Sequence, residues 1–493
     1  MKLNKRITSK TERPVKVLQY GTGNFLRGFA IPMIDIANEA GVFDGNIFIV
    51  KPTPSAGEVA QFRQQDCMYT VILRGTKNGE PCLERRVITS VADVVHAYRE
   101  YDKYSVLAGS PDLRFIVSNT TEAGIVYDNR DDIDLNPPNT FPGKLTKFLF
   151  ERYQAFDGAM DKGLIIIPLE LIERNGETLR EYCIKLANLW GLPKRFILWL
   201  TEANTFCNTL VDRIVTGYPA DEADYLARKL GYLDEFMVVG EPFAQWVIES
   251  DGSQVADEFP LDKAGLPVIF TSDLSSYRAQ KVRLLNGTHT ALALAAYLSG
   301  LNTVLEMMND KIMREFVEKV IYEEIAPTVP FSADLVLTYA DSVIERFENP
   351  FIKHNLLAIS INSIAKFKAR ILPIIIEIYE QKGALPRLLC FALAALMEFY
   401  DGEQRDGKFI GMRSGEPYEI LDDPAVLAFF IQNRFLTPNE KVRAFLARAD
   451  FWDEDLTNIK DLPALVTEAL QSIRDDGMQG ALHKVLGIDC KGA

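Results

Sequence analysis

Three polar residues that can do chemistry on a carbonyl group, Lys281, Asn286 and His289, lie within one mainly apolar segment of the 493-residue chain. Residues at such spacings share roughly one face of a regular helix, so their side chains can converge on one ligand. Hydride transfer to a ketone develops negative charge on oxygen, and the product alcohol then needs a proton. The segment therefore contains the functional groups that a carbonyl reduction requires.

Each residue suits one part of that reaction, and no metal ion is needed. Lys281 can act as the general acid or base if burial lowers its pKa, and Asn286 can donate a hydrogen bond to the oxyanion. His289 can orient the lysine or bind a hydroxyl group. A structural interpretation stays open on the residues alone, with Lys281 as a solvated helix residue, Asn286 and Gly287 as a turn, and His289 as a core histidine.

A glycine-rich segment near the N-terminus has the position of a nucleotide-binding turn, because it follows a predicted strand at residues 16–20 and opens a predicted helix at residues 25–40. Gly21 permits a tight turn, and Gly23 allows the backbone to approach a pyrophosphate. Gly28 comes two residues later than the third glycine of the usual fingerprint, so an ordinary loop is the alternative. The candidate cofactor-binding residues of this turn are Gly21, Thr22, Gly23, Asn24, Phe25, Leu26 and Arg27.

Lys51 follows a second predicted strand, at residues 46–50, where NAD-binding proteins usually carry an acidic residue for the ribose hydroxyls. It can pair with a 2'-phosphate, which would favour NADP, or it can cap the strand in solvent. Residue chemistry alone therefore leaves the choice between NAD and NADP open.

The order of the predicted elements indicates an α/β Rossmann-type doubly wound sheet followed by a mostly α-helical domain. Helical periodicity prevails after about residue 276. We expect a dinucleotide-binding domain at residues 1–275 and a helical substrate-binding and catalytic domain at residues 276–493. Further strands are predicted at residues 115–118 and 164–168, an inserted hairpin at 71–74 and 85–90, and helices at 282–298, 303–320, 333–347 and 356–379.

The composition favours a protein of the cytoplasm that binds small molecules. The chain has 54 basic and 68 acidic residues, a formal net charge of -14 and no dense basic tract, which argues against a nucleic-acid partner. Its 6 cysteines are scattered without a CxxC pair, which indicates reduced thiols rather than a zinc or redox site. No apolar segment has the length of a bilayer span or the pattern of an export signal, so no membrane partner is expected. The oligomeric state is left open.

The polar set resembles the Lys-x4-Asn-x2-His catalytic signature of the polyol-specific long-chain dehydrogenases, the mannitol dehydrogenase family. The glycine turn resembles the GxGxFxR element of the same family, with Gly21, Gly23, Phe25 and Arg27 in the corresponding places. Longer segments, spread over residues 21–373, resemble a branch that acts on keto acids derived from hexuronates. They are GTGNFLRGF, IVSNTTEAGI, TFPGKLTKFL, FCNTLVDRIVTGYP, KVRLLNGTHT and NPFIKHNLLAISINSIAKFKARILP.

This resemblance implies the reversible, NADH-dependent reduction of D-tagaturonate to D-altronate, a step of galacturonate breakdown. It assigns Lys281 as general acid or base, Asn286 as oxyanion donor and His289 as their partner. Asn119 and Thr120, after a predicted strand, are expected near the nicotinamide ribose, with a plain loop as the alternative. Other activities that fit the family are the reduction of D-fructuronate and a mannitol-type polyol 2-dehydrogenase; outside it, a nucleotide-sensing protein without catalysis is the alternative.

Two departures from the family pattern concern the substrate. Mannitol-type members of the family carry a Cys-Asp-Asn element after a strand, whereas this chain reads LELIERNG at residues 169–176. Asn175 is therefore the candidate second oxyanion donor, and Glu170 is a candidate contact for a hydroxyl group. The mannitol-type members also carry an arginine eight residues before the lysine that corresponds to Lys366, but Ala358 stands at that position.

A sugar acid needs a cation for its carboxylate group. Lys353 and His354, in the segment NPFIKH, are expected to supply carboxylate and hydroxyl contacts together with Lys366. The alternative is that Lys353 is a surface charge and that His354 caps a helix.

Overall fold

The chain folds into two compact units, Met1–Leu274 and Ser275–Ala493. The computed structural model describes residues 1–55, 57, 59–77, 79–120, 124–250 and 252–488. Within these ranges no helix is both long enough and apolar enough to cross a membrane. Five of the cysteines are free, and Cys490 lies outside the described residues.

Thirteen strands and nine α-helices build the described part of the first unit. The strands are β1 (Val15–Tyr20), β2 (Asn46–Lys51), β3 (Tyr69–Lys77), β4 (Glu80–Ile88), β5 (Val91–His96), β6 (Phe115–Ser118), β7 (Ile165–Pro168), β8 (Thr205–Phe206), β9 (Asn208–Asp212), β10 (Val215–Gly217), β11 (Val238–Gly240), β12 (Gln245–Glu249) and β13 (Val268–Thr271). The helices are α1 (Asn24–Gly28), α2 (Ala30–Glu39), α3 (Val59–Gln64), α4 (Tyr101–Ser105), α5 (Phe141–Ala155), α6 (Asn175–Leu189), α7 (Lys194–Glu202), α8 (Ala223–Leu230) and α9 (Gln254–Glu258).

A parallel sheet with strand order β5-β2-β1-β6-β7-β8 forms the centre of this unit. Successive residues of a strand point to opposite faces, so Val17 and Ile49 enter one hydrophobic core while Leu18 and Val50 enter the other. Burial on both faces explains why these strands are nearly continuous apolar runs. The predicted doubly wound sheet is confirmed, and its order reverses between β1 and β6, where such sheets bind ligands.

The remaining strands of the first unit form two smaller sheets. The predicted inserted hairpin is present as the antiparallel pair β3 and β4, which β11 and β10 extend to four strands. Strands β13, β12 and β9 form a three-stranded sheet. The helix predicted at residues 25–40 is broken at Phe29, and a Cβ atom on the preceding Gly28 would lie 2.8 Å from Val215. The break thus lies where the backbone packs directly against β10.

The second unit is mostly helical in its described part, as predicted. Its α-helices are α10 (Ser275–Gln280), α11 (Thr288–Leu298), α12 (Val304–Asn309), α13 (Lys311–Lys319), α14 (Ala333–Phe347), α15 (Leu356–Ile359), α16 (Ser363–Arg370), α17 (Leu372–Lys382), α18 (Arg387–Phe399), α19 (Pro424–Gln432), α20 (Pro438–Leu446), α21 (Ala449–Trp452) and α22 (Leu462–Leu486). Two further segments, Lys281–Gly287 and Val320–Ile325, are π-helical.

Three features of this unit differ from the prediction. The single helix predicted at residues 303–320 is two helices, α12 and α13, because the backbone of Asp310 between them is extended (φ -82°, ψ 125°). The single helix predicted at residues 356–379 is three helices, because Asn362 has a left-handed backbone (φ 56°) before α16 and Pro373 stands in the first turn of α17. A small antiparallel sheet was not predicted; its strands are β14 (Gly402–Arg405), β15 (Lys408–Arg413) and β16 (Glu416–Glu419).

Candidate active site

The glycine turn follows β1 at the point where the strand order of the central sheet reverses. Gly21 has a φ angle of 122°, and a Cβ atom there would lie 3.0 Å from the carbonyl oxygen of Asn119, the residue that follows β6. A side chain is therefore disfavoured by both backbone conformation and space. At Gly23 a Cβ atom would meet nothing within 4 Å, so this part of the turn is open to a ligand.

The other residues of the turn divide into exposed groups and packing groups. Asn24 is exposed, whereas Leu26 is buried and Phe25 packs against the core of the first unit. Arg27 donates hydrogen bonds to the carbonyl oxygen of Phe236 (2.8 Å) and to Oδ1 of Asn24 (2.7 Å). Arg27 thus anchors the first turn of α1 to the neighbouring loop, while the exposed edge of the turn stays accessible.

A cavity of about 240 Å³ adjoins this turn. Its lining is Thr22, Arg27, Lys51, Gly57, Val59, Phe62, Val94 and Phe236. Lys51 is only 8% exposed, and its Nζ donates to the hydroxyl oxygens of Thr53 (2.6 Å) and Ser55 (2.9 Å). Burial lowers the pKa of Lys51. The lysine is therefore part of the cavity wall and does not extend into solvent.

Glu170 joins the ends of β6 and β7. Its carboxylate accepts hydrogen bonds from the backbone N–H (2.9 Å) and hydroxyl (2.8 Å) of Thr120 and from the hydroxyl of Ser118 (3.0 Å). Asn119 donates its amide N–H to the carbonyl oxygen of Leu169 (2.8 Å). Burial raises the pKa of Glu170. The structure thus holds Asn119 and Thr120 beside Gly21, at the carboxyl ends of the central strands.

Asn175 is buried at the start of α6. Its amide nitrogen donates to the carbonyl oxygens of Pro168 and Glu170, both at 3.0 Å, and its Oδ1 accepts from the backbone N–H groups of Gly176 and Thr209, both at 2.9 Å. A primary amide has two hydrogens, and chain atoms engage both of them. Donation to a substrate oxygen would require one of these hydrogen bonds to break.

In the second unit, Lys281 and Asn286 lie in the π-helical segment Lys281–Gly287. A π-helix pairs residues five apart, so the five-residue spacing places the two side chains one above the other on the same face. The regular helix assumed from the sequence does not align this pair as closely. Thr290, one α-helical turn after Asn286, donates its hydroxyl to the carbonyl oxygen of Asn286 (2.9 Å). Single π-helical turns inside α-helices are frequent at functional sites.

The imidazole rings of His289 and His354 meet edge to face, with centroids 4.8 Å apart. On its other side His289 stacks on Phe347 in α14, with centroids 4.4 Å apart. Burial lowers the pKa of His354, which favours the neutral form of this ring. The structure brings these two predicted residues together although they are far apart in sequence.

The two predicted lysines have different environments. Lys353 is exposed. Lys366, in α16, is half-buried and donates from Nζ to the carbonyl oxygen of Ile359 (2.9 Å). The pKa of Lys366 is lowered by burial and by the charge of Arg370.

Sequence reasoning missed Arg370, whose NH1 donates to the Thr290 hydroxyl (3.1 Å) next to the π-helical segment. Its four-residue spacing from Lys366 was the available signal, because residues at that spacing share a helix face. Across the described ranges, no group of three or more His, Cys, Asp or Glu side chains could hold a metal ion.

Both units match known domains in sequence. Residues 15–263 match the mannitol dehydrogenase Rossmann domain, and residues 273–474 match the mannitol dehydrogenase C-terminal domain. The chain belongs to the mannitol dehydrogenase family. It is therefore an oxidoreductase that acts on CH–OH groups, and the resemblance drawn from the sequence motifs is confirmed.

Similar proteins extend over almost the whole chain. An altronate oxidoreductase of Yersinia enterocolitica is 43% identical over 97% of this chain and 99% of its own length. An altronate oxidoreductase of Cronobacter sakazakii is 44% identical with the same coverage. Among solved structures, D-sorbitol dehydrogenase in substrate-free form has a TM-score of 0.81 at 23% identity, covering 98% of this chain and all of its own. Pseudomonas fluorescens mannitol 2-dehydrogenase, in a ternary complex with NAD and D-mannitol, has a TM-score of 0.70 at 22% identity, covering 99% and 100%. These two structures share the fold.

Proposed function

We propose that this protein catalyses the reversible reduction of D-tagaturonate to D-altronate with NADH, a step of hexuronate breakdown. The observation that carries the proposal is the near full-length similarity to proteins named altronate oxidoreductase. The free cysteines of the described part and the scattered cysteine pattern favour the reducing cytoplasm as its location.

The first unit has the features needed to bind the cofactor. The open turn at Gly23 would allow close approach of a pyrophosphate, and we assign the adenosine part of the cofactor to the adjoining cavity. Asn119 and Thr120 lie at the neighbouring strand end, where they would contact the nicotinamide ribose. NADH, when bound, supplies the hydride that reduces the ketone.

The second unit supplies the groups that stabilise the negative charge on the carbonyl oxygen and transfer the proton to it. Asn286 donates its amide N–H to the carbonyl oxygen, which gains negative charge as the hydride arrives. Lys281 then gives a proton from Nζ to that oxygen, and it takes the proton back in the oxidation direction. His289, held between Phe347 and His354, orients a substrate hydroxyl or the lysine. Asn175 as a second oxyanion donor stays a prediction.

Purified protein with NADH or NADPH should be assayed by absorbance with D-tagaturonate, D-fructuronate and D-fructose in parallel. We expect the highest kcat/KM for D-tagaturonate with NADH, and loss of that activity in Lys281→Ala. Preference for another ketone would retain the family and overturn the substrate. NADH binding without turnover of any of the three would favour a nucleotide-sensing protein.

The position of Lys51 in the cavity wall favours NADPH as the alternative cofactor. Lys51 lines the cavity, and its ammonium group, which donates to the hydroxyls of Thr53 and Ser55, has the chemistry to bind a 2'-phosphate. A kcat/KM for NADPH at or above that for NADH would replace NADH in the proposal.

For the carboxylate group of the substrate, Lys353, His354 and Lys366 are the proposed carboxylate and hydroxyl contacts. Because burial lowers the pKa of His354 and favours its neutral form, this ring suits a hydroxyl group, whereas the lysines suit the carboxylate. Lys353→Ala should raise KM for D-tagaturonate more than KM for D-fructose. Equal increases for both substrates would remove Lys353 from the proposed set.

A further inference from the structure

Arg370 is directly connected to the π-helical segment that contains Lys281 and Asn286. The guanidinium group lies at the end of α16, and its NH1 donates to the Thr290 hydroxyl at 3.1 Å. That hydroxyl in turn donates to the carbonyl oxygen of Asn286 at 2.9 Å. Arg370 therefore lies within two hydrogen bonds of the residue proposed to polarise the substrate carbonyl.

The charge of Arg370 has no acidic partner among the residues that the structure describes. Burial lowers the pKa of this half-buried guanidinium. By contrast, Arg283 pairs with Glu377 (2.7 Å) and Arg474 pairs with Glu398 (2.9 Å) in the same unit. A partly buried cation is unfavourable unless an anion compensates it.

Lys366 makes the local excess of positive charge larger. It lies one turn before Arg370 on the same helix, where like charges destabilise each other. Asp422 is the acid whose charge acts on Lys366. Its carboxylate, however, accepts hydrogen bonds from the Tyr400 hydroxyl and from backbone N–H groups. Two cations thus lie on one face of α16, and within the described residues no free carboxylate pairs with them.

We propose that Arg370 binds the carboxylate group of the sugar-acid substrate, with Lys366 as its neighbour, and that this pair selects uronates over neutral ketoses. The inference rests on the proposed function, because it names the group that recognises its substrate. A guanidinium presents parallel N–H donors that match the two oxygens of a carboxylate. The hydrogen bond to Thr290 uses one of the five N–H donors of the guanidinium group, and we assign the substrate carboxylate to the others.

The test compares Arg370→Gln with Lys368→Gln, which removes a positive charge from the same helix. Lys368 pairs with Asp453 (2.6 Å) and has no place in the proposed site. At saturating NADH, Arg370→Gln should raise KM for D-tagaturonate by about 10- to 100-fold, the usual effect of losing a hydrogen bond to a charged group. KM for D-fructose should change by less than about threefold, and Lys368→Gln should resemble the wild type for both substrates.

Arg370→Lys provides a second variant if the glutamine variant unfolds at the assay temperature. It keeps the charge but loses the paired donors, so it should raise KM for D-tagaturonate several-fold and leave KM for D-fructose unchanged. Equal changes for acid and neutral substrates, or no change for the acid, would overturn the role of Arg370 while an active wild type keeps the proposed function. A wild type that reduces D-fructuronate instead moves the test to that acid. A wild type that reduces only neutral ketoses overturns both proposals.

Discussion

The two candidate ligand sites of this chain are built on opposite principles. In the first unit, the turn after β1 depends on absent side chains, because a Cβ atom on Gly21 would lie only 3.0 Å from the carbonyl oxygen of Asn119, and the space beside Gly23 is open. In the second unit, the π-helical segment depends on side chains that an irregular backbone aligns, Lys281 and Asn286. The comparison teaches that adding atoms should damage the first site, whereas removing atoms should damage the second.

The largest expected effect is that of Lys281→Ala on turnover. Loss of the general acid should lower kcat by about 10²- to 10⁴-fold. NADH affinity, measured by fluorescence titration, should stay near that of the wild type, because the turn that we propose for the cofactor is built by the first unit. A large loss of NADH affinity would break the proposed division between the two sites. A fall in kcat of less than about tenfold would remove Lys281 as the proton donor.

Gly21→Ala should damage the first site by adding a single methyl group. Alanine would have to adopt a positive φ of 122° and would place its Cβ atom 3.0 Å from the carbonyl oxygen of Asn119. The free energy of unfolding of the variant should therefore fall by about 1–3 kcal/mol, and its KM for NADH should rise. Chemical denaturation and initial rates measure both quantities. Gly23→Ala is the matched control, because its φ of -63° is ordinary for alanine. Its free energy of unfolding should stay within about 0.5 kcal/mol of the wild-type value. An equal loss of stability in both variants would contradict the explanation from the backbone conformation of Gly21.

Asn175→Ala tests whether a buried amide in the first unit acts on the fold or on the substrate. Because the variant loses the hydrogen bonds that Asn175 makes to chain atoms, its free energy of unfolding should fall by about 1–3 kcal/mol. The kcat of the folded variant should change less than about tenfold. A loss of kcat of about 10²- to 10³-fold in a stable variant would instead show that Asn175 stabilises the oxyanion. Denaturation and kcat measured on the same preparation separate the two outcomes.

The smallest expected effect concerns the second π-helical segment, Val320–Ile325. Glu324 there accepts hydrogen bonds from the backbone N–H groups of Leu388 (2.9 Å) and Leu389 (2.8 Å), and burial raises its pKa to about 6 from 4.5. The native state therefore binds a proton more tightly than the unfolded state. Consequently, the contribution of Glu324 to stability falls as pH rises from about 4.5 to 6.

Glu324→Gln should remove that pH dependence, which amounts to at most about 2 kcal/mol, and should leave kcat near the wild-type value. Denaturation curves at a series of pH values, compared with the wild type, measure it. An altered kcat would show that the segment Val320–Ile325 also affects catalysis, so that Lys281–Gly287 would not be the only π-helical segment with that role among the described residues.

Much of the fold could be predicted because burial leaves a direct trace in the sequence. Strands β2, β6 and β7 are buried on both faces, so they are apolar runs that a reader can find. Strands β14 and β16 could not be found in this way, because most of their residues are exposed and they carry no apolar run. The breaks around α16 were also missed, since the left-handed conformation of Asn362 leaves only a weak trace in residue type.

The candidate site also has residues that local sequence reveals and residues that only packing reveals. Gly21, Gly23, Lys281, Asn286 and His289 could be found because their chemistry and spacing are local properties of the chain. The sequence by itself thus determined the family, the sheet and the candidate reactive groups. Only the tertiary structure decided that His354 meets His289, that Lys51 lines a cavity, and that Arg370 reaches Thr290. The physical reason is that burial and charge pairing depend on residues brought together by packing, and no single segment of sequence contains that information.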